Sequence, residues 1–292
     1  MHYHLVLNPF SNNRKSIRAL LAVEKYLSEN NFQYTTHITS NAKDAALIFN
    51  ALSIEPVTII VLGGDGTLHN MLNSFANFDN ITFGLIPCGS GNDFAKPLGL
   101  STNPVTAIKD IINGKTVTLD AMRLDNRFAI NVVGTGLDIE VLKRYQKMKF
   151  FKGKLRYYIA LLATLRKFSS YHLDIEIDGK TYTRDALLIA VCNGQYIGGG
   201  MRVNPYAKPD DALLNVTIAN RVPKSKLLPV LLKFIKGKHD KCRKYVESYT
   251  CSSVKVKSHE PMLLQADGEI LDIPFDCEII KEKLKFIVPQ NY

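Results

Sequence analysis

Apolar positions fall into two regimes along this chain. Before Thr116, short apolar runs alternate with stretches in which apolar residues recur every three or four positions. Residues 2–7, 33–38, 56–62 and 81–86 read as strands. Between them, Ile17, Leu20, Leu21, Val23 and Leu27 mark one helix, and Ala45, Ala46, Ile48 and Phe49 a second over residues 41–52. Leu68, Met71, Leu72 and Phe75 mark a third that runs to residue 78, and a fourth is predicted over residues 104–113, bounded by Asn103 and Gly114. Residues 56–62 are continuously apolar, the pattern of a strand buried on both faces. This β-α-β order argues a parallel, doubly wound sheet.

From Thr116 onward the strands crowd together. They are expected at residues 116–124, 128–133, 173–177, 181–191, 213–218, 254–256, 262–265 and 270–279. Asp178-Gly179 and Asp267-Gly268 are hairpin signals. Two helical patterns interrupt, at residues 155–168 and 224–235. The expected fold class is therefore α/β: an N-terminal doubly wound, Rossmann-like parallel-sheet domain (residues 1–118) plus a C-terminal antiparallel β-sandwich domain (residues 119–282). Residues 284–288 read as a strand returning to either domain, and the first domain is taken to include 283–292.

Three loops fall where open parallel sheets hold ligands, outside the carboxyl ends of strands. One is Asn8-Pro9-Phe10-Ser11-Asn12-Asn13. The second is Gly63-Gly64-Asp65-Gly66-Thr67, leading into a helix, and the third is Pro87-Cys88-Gly89-Ser90-Gly91-Asn92-Asp93, also read as leading into a helix. Strand, glycine turn and helix together suit phosphate, because bare main chain and a helix N-terminus converge on it. Asp65 is itself negative, so it makes sense there mainly if a divalent cation bridges it to phosphate. Asn92 and Asp93 fit helix capping as well as ligand contact. No Walker-type P-loop is present, His69 stands where a dinucleotide fingerprint needs its third glycine, and protein-kinase signatures are missing.

Composition adds limits. The chain has 292 residues, 46% hydrophobic and 22% charged, enough to fold without staples. Five scattered cysteines fit free thiols in a reducing cytosol, no signal peptide is visible, and residues 157–165 are too short an apolar run to span a bilayer. Net charge is +10. Seven cations lie between Lys143 and Arg156 and a second basic stretch runs from Lys224 to Lys244, both interleaved with apolar residues. That mixture suits an anionic membrane surface. Nucleic acid is the rival, without a supporting signature, and a solvated helix face is the plain alternative.

The ordered set of motifs resembles the diacylglycerol kinase catalytic family, most of all its soluble bacterial lipid kinases. It comprises Gly63-Gly64-Asp65-Gly66-Thr67, the Pro87–Ala95 turn, Asn8-Pro9-x-Ser11, Asn193-Gly194-Gln195-Tyr196-x-Gly198-Gly199-Gly200, Pro205-x-Ala207-x-x-Asp210-Asp211 and Asp267-Gly268-Glu269. The resemblance covers essentially the whole chain. It implies ATP-dependent, Mg²⁺-dependent phosphoryl transfer to a lipid hydroxyl, with ATP on the α/β domain and lipid taken from the cleft between domains. By the same likeness, Asn8, Pro9, Phe10, Ser11, Asn12, Thr39, Gly63, Gly64, Asp65, Gly66, Thr67, Leu68, His69, Asn70, Ser90 and Asn92 would contact nucleotide. Asp65, Asp93 and Asp120 would organise Mg²⁺ and its waters, and Glu269 would be the catalytic base. Asp211, with carbonyls near Lys208 and Leu213, would hold a structural Mg²⁺. This chain departs from the family pattern at Asn12 and Ala212, which stand for glycines, at Asn70, which stands for an acidic residue, and at Ser90, which stands for threonine.

The expected function is a cytosolic kinase acting on diacylglycerol at the membrane surface, giving phosphatidic acid. The alternatives are another lipid acceptor (sphingoid base, ceramide, phosphatidylglycerol or undecaprenol) and a non-catalytic nucleotide- or lipid-responsive regulator. No nucleic-acid partner is expected, and relatives suggest a homodimer.

Overall fold

Ile59, Ile60, Val61 and Leu62 have no solvent exposure, which requires a strand covered on both faces. In the computed structural model, which describes residues 2–7, 13–39, 42–74, 77–148, 153–165 and 170–292, that strand is central to the first of two compact units. The units are residues 1–120 with 281–292, and residues 121–280. The first contains β1 (His2–Leu7), α1 (Asn13–Glu29), β2 (Gln33–Ile38), α2 (Ala42–Leu52), β3 (Val57–Gly63), α3 (Asp65–Leu72), β4 (Ile81–Pro87) and α4 (Pro104–Asn113). The parallel strand order is β2-β1-β3-β4. Near the C-terminus, Lys285 and Phe286 pair in parallel with Thr82 and Phe83 of β4, so the last strand returns to this unit. Leu5, Leu7, Ile60 and Leu62 pack with Leu20, Val23 and Leu27 of α1 and Ile108 and Ile111 of α4.

Two expectations here are corrected. α3 ends at Leu72, not at residue 78: Asn73 Nδ2 donates to His69 O (2.9 Å), Ser74 Oγ donates to Asn70 O (2.7 Å), and the Ser74 N–H turns to Met71 O (2.9 Å). Such local side-chain bonds compete with helix propagation; Phe75 itself lies outside the described residues. No helix follows Asn92-Asp93 either. Residues 93–99 form successive turns, with Pro97 lacking an N–H and Gly99 at φ +67° closing the last one.

β5 (Lys115–Leu124) carries the chain out of the first unit. The second contains β6 (Arg127–Ala129), β7 (Val132–Gly136), α5 (Leu137–Lys147), α6 (Gly153–Leu165), β8 (Tyr171–Ile177), β9 (Lys180–Cys192), β10 (Tyr196–Ile197), β11 (Met201–Arg202), β12 (Leu214–Asn220), α7 (Lys224–Ile235), β13 (Val246–Cys251), β14 (Ser253–Ser258), β15 (Leu264–Ala266) and β16 (Glu269–Leu271). β17 (Phe275–Val288) leads back. The first half of β9 pairs with β8 and the second half with β7 and β12, all antiparallel. Ile189 and Val191 of β9 face a core enclosed by other strands, through Leu173, Ile175, Val216, Ile218 and Phe275. Leu187, Ala190 and Cys192 face a second core built with Val141, Tyr157, Leu161, Leu231 and Phe234 of α5, α6 and α7. The unit is thus a β-sandwich with helices packed on one face.

The hairpin at Asp178-Gly179 forms with both residues at positive φ. α5, in contrast, is a helix where only a basic stretch was expected, and β13 was not anticipated. The strand expected at 128–133 is two strands, and that expected at 270–279 is also two, parted before Pro274, which has no N–H to give a ladder.

Candidate active site

The two glycine turns of the first unit touch at the carboxyl ends of β3 and β4. Cys88 N–H donates to Gly63 O (2.8 Å). A Cβ on Gly64 would lie 2.8 Å from Gly89 Cα, and one on Gly89 2.6 Å from Gly64 Cα, so only glycine permits this approach. Asp65, the first residue of α3, joins the turns: its Oδ2 accepts Asp93 N–H and its Oδ1 accepts Phe94 N–H, both at 3.0 Å. These are charge-assisted bonds. They give Asp65 a splinting role that no reading of the sequence contained. The N-terminus of α3 has no side-chain cap, which leaves its first N–H groups to a ligand.

Asn92 is buried at φ +50°, a left-handed conformation that Asn tolerates. Its Oδ1 and the Oγ1 of Thr67 are buried with no hydrogen-bond partner among the described residues. Two unmatched oxygens are unusual in a folded interior, and as hard donors they fit waters bound to Mg²⁺. Asp93 and Asp120 are buried, and Asp93 forms an ion pair with Lys96. Ser90 and Asn70 are exposed, whereas the side chains of Leu68 and His69 are buried. Thr39 donates from N and Oγ1 to Leu7 O (3.0 and 3.4 Å), tying the end of β2 to the end of β1. Burial pushes the Cys88 thiol up to about 11, so it is no nucleophile at neutral pH. Asn8, Pro9, Phe10, Ser11 and Asn12 lie outside the described residues.

The second unit holds Glu269 on a rigid support. Asp267 (φ +52°) and Gly268 (φ +95°) form the two-residue turn of the β15–β16 hairpin. The Asp267 carboxylate accepts the N–H groups of Ile130 (3.0 Å), Asn131 (2.9 Å) and Val132 (3.1 Å), which is what divides β6 from β7. From the opposite direction, Asn193 and Gly194 donate their N–H groups to Asn131 O (3.0 and 2.8 Å), and Asn193 Nδ2 donates to Ile130 O (2.9 Å). The Asn193-Gly194 segment therefore grips two of the three peptides that the Asp267 carboxylate holds, those joining Ile130 to Asn131 and Asn131 to Val132. Gln265, fully buried, accepts Gly268 N–H on Oε1 (2.8 Å) and donates from Nε2 to Val132 O (3.3 Å). Glu269 follows directly and is exposed.

Sequence reasoning missed Asn131, Gln265 and Asp138 here; an Asp-Gly pair announces a turn, not what its carboxylate binds. Asp138 is buried at the start of α5, where its Oδ1 accepts Ile139 N–H (2.9 Å). Burial raises its carboxyl to about 7, against the pull of the Ile139 N–H and the Gln265 side chain. In the loop expected to hold a structural metal, Asp211 Oδ1 accepts Leu213 N–H (3.1 Å), and Lys208 and Leu213 are exposed. Ala212 adopts φ +61°, a left-handed conformation that favours glycine.

Fold and turns define a class: a Rossmann-like unit with paired glycine turns, joined to a β-sandwich unit bearing an acidic hairpin. Residues 2–124 match the diacylglycerol kinase catalytic domain. Residues 131–288 match the YegS C-terminal NAD kinase beta sandwich-like domain. The chain belongs to the diacylglycerol kinase family of lipid kinases. A candidate lipid kinase of Staphylococcus aureus strain JH9 is 29% identical over 232 residues, 78% of this chain and 76% of that one. Two Bacillus anthracis structures, a candidate diacylglycerol kinase and a diacylglycerol kinase, share the fold. They show TM-scores of 0.82 and 0.77, identities of 24% and 22%, and coverage of 98% of this chain and 95% and 96% of theirs.

Proposed function

We propose that this protein transfers the γ-phosphoryl group of ATP to the hydroxyl of diacylglycerol at a membrane surface, giving phosphatidic acid. The observation that carries this reading is the joined pair of glycine turns, with Asp65 bonded to the second turn and the oxygens of Thr67 and Asn92 unmatched beside it. The first unit takes the nucleotide, whose phosphates meet the bare main chain of Gly64, Gly66 and Gly89 and the start of α3. Asp65, Thr67, Asn92, Asp93 and Asp120 would hold Mg²⁺ through its waters; the ion supplies charge neutralisation on the phosphates. The loop around Asp211 is the place for a structural Mg²⁺.

The second unit takes the lipid. Glu269 accepts the hydroxyl proton as the acceptor oxygen bonds to the γ-phosphorus and the bond from that phosphorus to the β–γ bridging oxygen breaks, releasing ADP. The Asp267 and Gln265 bonds hold the turn before Glu269, and catalysis of this kind depends on such positioning. No helix among the described residues is long and apolar enough to cross a membrane, and the basic, apolar-studded surface supports peripheral docking on anionic lipid.

Labelled ATP with Mg²⁺ and micelles of diacylglycerol, ceramide, sphingoid base, phosphatidylglycerol or undecaprenol tests the acceptor. Label in diacylglycerol above the others supports the proposal. Label chiefly in another lipid replaces the acceptor, and label in none overturns the kinase reading in favour of a regulator.

A further inference from the structure

α7 is built with two faces, and the fold uses only one. Val230, Leu231 and Phe234 are buried in the core shared with α5 and α6. On the opposite side, Leu228 and Leu232, one helical turn apart, are 56% and 50% exposed, and Pro229 beside them is exposed too. Lys224, Lys226, Lys233, Lys236, Lys238, Lys241 and Arg243 surround this stripe, all exposed. Between residues 224 and 244 there are eight Lys or Arg and one acidic residue, Asp240.

In the other basic stretch, Lys143, Arg144 and Arg156 are engaged within the fold. Lys143 pairs with Glu140 (2.8 Å), and Arg144 Nε donates to Thr164 Oγ1 (3.1 Å). Arg156 donates to Tyr145 O (2.8 Å) and Gln146 O (3.2 Å) and lies over the Tyr145 ring. The Arg144 and Arg156 bonds fasten α5 to α6. By contrast, the seven cations around α7 make no ion pair or side-chain hydrogen bond among the described residues.

We propose that α7 is the membrane-docking element, with Leu228, Pro229 and Leu232 entering the headgroup layer of an anionic bilayer while the surrounding lysines bind lipid phosphate. It deepens, and rests on, the reading of this protein as an enzyme that meets its lipid at a surface. An apolar stripe ringed by cations matches such an interface in both respects. Nucleic acid would use the lysines but not the leucines, and the stripe has no aromatic ring for base stacking. A second copy docked face to face would set like charges against one another.

Because the chain contains no Trp, Leu228→Trp gives a unique fluorophore, tested in the full chain with vesicles of phosphatidylcholine with and without phosphatidylglycerol. The emission shifts to the blue on phosphatidylglycerol vesicles, and less so as salt rises. Leu47→Trp, on the 73% exposed α2 position, does not shift. Each lysine near the surface strengthens partitioning about fivefold, so Lys233→Glu with Lys236→Glu weakens it at least about 25-fold at low salt. Leu228→Ser with Leu232→Ser weakens it about tenfold at any salt. If the Leu228→Trp protein sediments with vesicles while its emission stays unchanged, another surface docks and the proposal is wrong. A shift without vesicles that grows with protein concentration also overturns it, in favour of a second copy. The two readings fail separately: lipid phosphorylation with no shift removes only the docking role of α7, and a shift without phosphoryl transfer removes only the kinase.

Discussion

Asp65→Asn separates the splinting role of this residue from its role toward nucleotide. The wild-type carboxylate accepts two backbone N–H groups of the neighbouring turn at 3.0 Å. A hydrogen bond to a charged group contributes about 1.5–3 kcal/mol net. Asparagine keeps the shape and one acceptor, but its NH₂ faces the other N–H, donor against donor. Asp65 is half-buried, so solvent softens the loss, which comes to about 2 kcal/mol. For a chain of this length that lowers Tm by about 4–8 °C. Freed from its splint, the 89–94 turn moves relative to Gly64, and a displacement of about 1 Å costs about 100-fold in rate. Calorimetry and a phosphoryl-transfer assay on the same preparation provide the check. A variant that melts within about 1 °C of wild type would refute the splint, even if inactive.

Other perturbations address separate features. Asp138→Asn tests the buried carboxyl, which titrates at about 7 in the fold against 3.8 in the open chain. Between those values the folded state keeps a proton that the unfolded state has lost, so stability falls as pH rises and levels off above pH 7. The full penalty there is about 4 kcal/mol at most. The variant should therefore gain more Tm at pH 8 than at pH 5, and equal gains would contradict the burial account. Ala212→Gly relieves a left-handed alanine, a strain of about 1–2 kcal/mol set against about 0.5–1 kcal/mol of extra chain entropy; the urea midpoint should rise, and a fall would show the strain to be absent. All five thiols are buried, with Cys88 at about 11, Cys251 at about 12 and Cys192 and Cys277 higher still through desolvation. A thiol reagent at neutral pH should label them only on unfolding; rapid labelling of native protein would contradict their burial.

What the sequence made legible was local. α4 forms with its predicted bounds because Asn103 Oδ1 accepts Val105 and Thr106 N–H (both 3.0 Å) and Gly114 ends it. The four N-terminal strands follow from unbroken or alternating apolar runs. The glycine turns were readable as a phosphate cradle, because main-chain exposure there needs glycine. Hidden were features made by distant partners. No pattern links Asp267 to peptides 130–132, or Asp65 to the turn at 93–94, since those bonds span 28 to 137 positions. α5 escaped notice because Leu137, Ile139 and Val141 give it a short buried face before its basic end. Glu269 drew its proposed role from family resemblance alone; the structure adds the gripped turn beneath it.

The central claim is that the chain is a lipid kinase with Glu269 as base. Its most direct test compares wild type with Glu269→Gln, using labelled ATP, Mg²⁺ and diacylglycerol micelles, with Tm measured in parallel. Because Glu269 is exposed at the edge of a turn held by other residues, the variant should melt like wild type. Its transfer rate should fall by about 100- to 10,000-fold, the usual contribution of a positioned base. Wild-type protein that labels diacylglycerol, beside a folded variant that labels it at least about 100-fold more slowly, is the predicted result. Equal rates in the two, or no lipid labelled by either, would contradict the account.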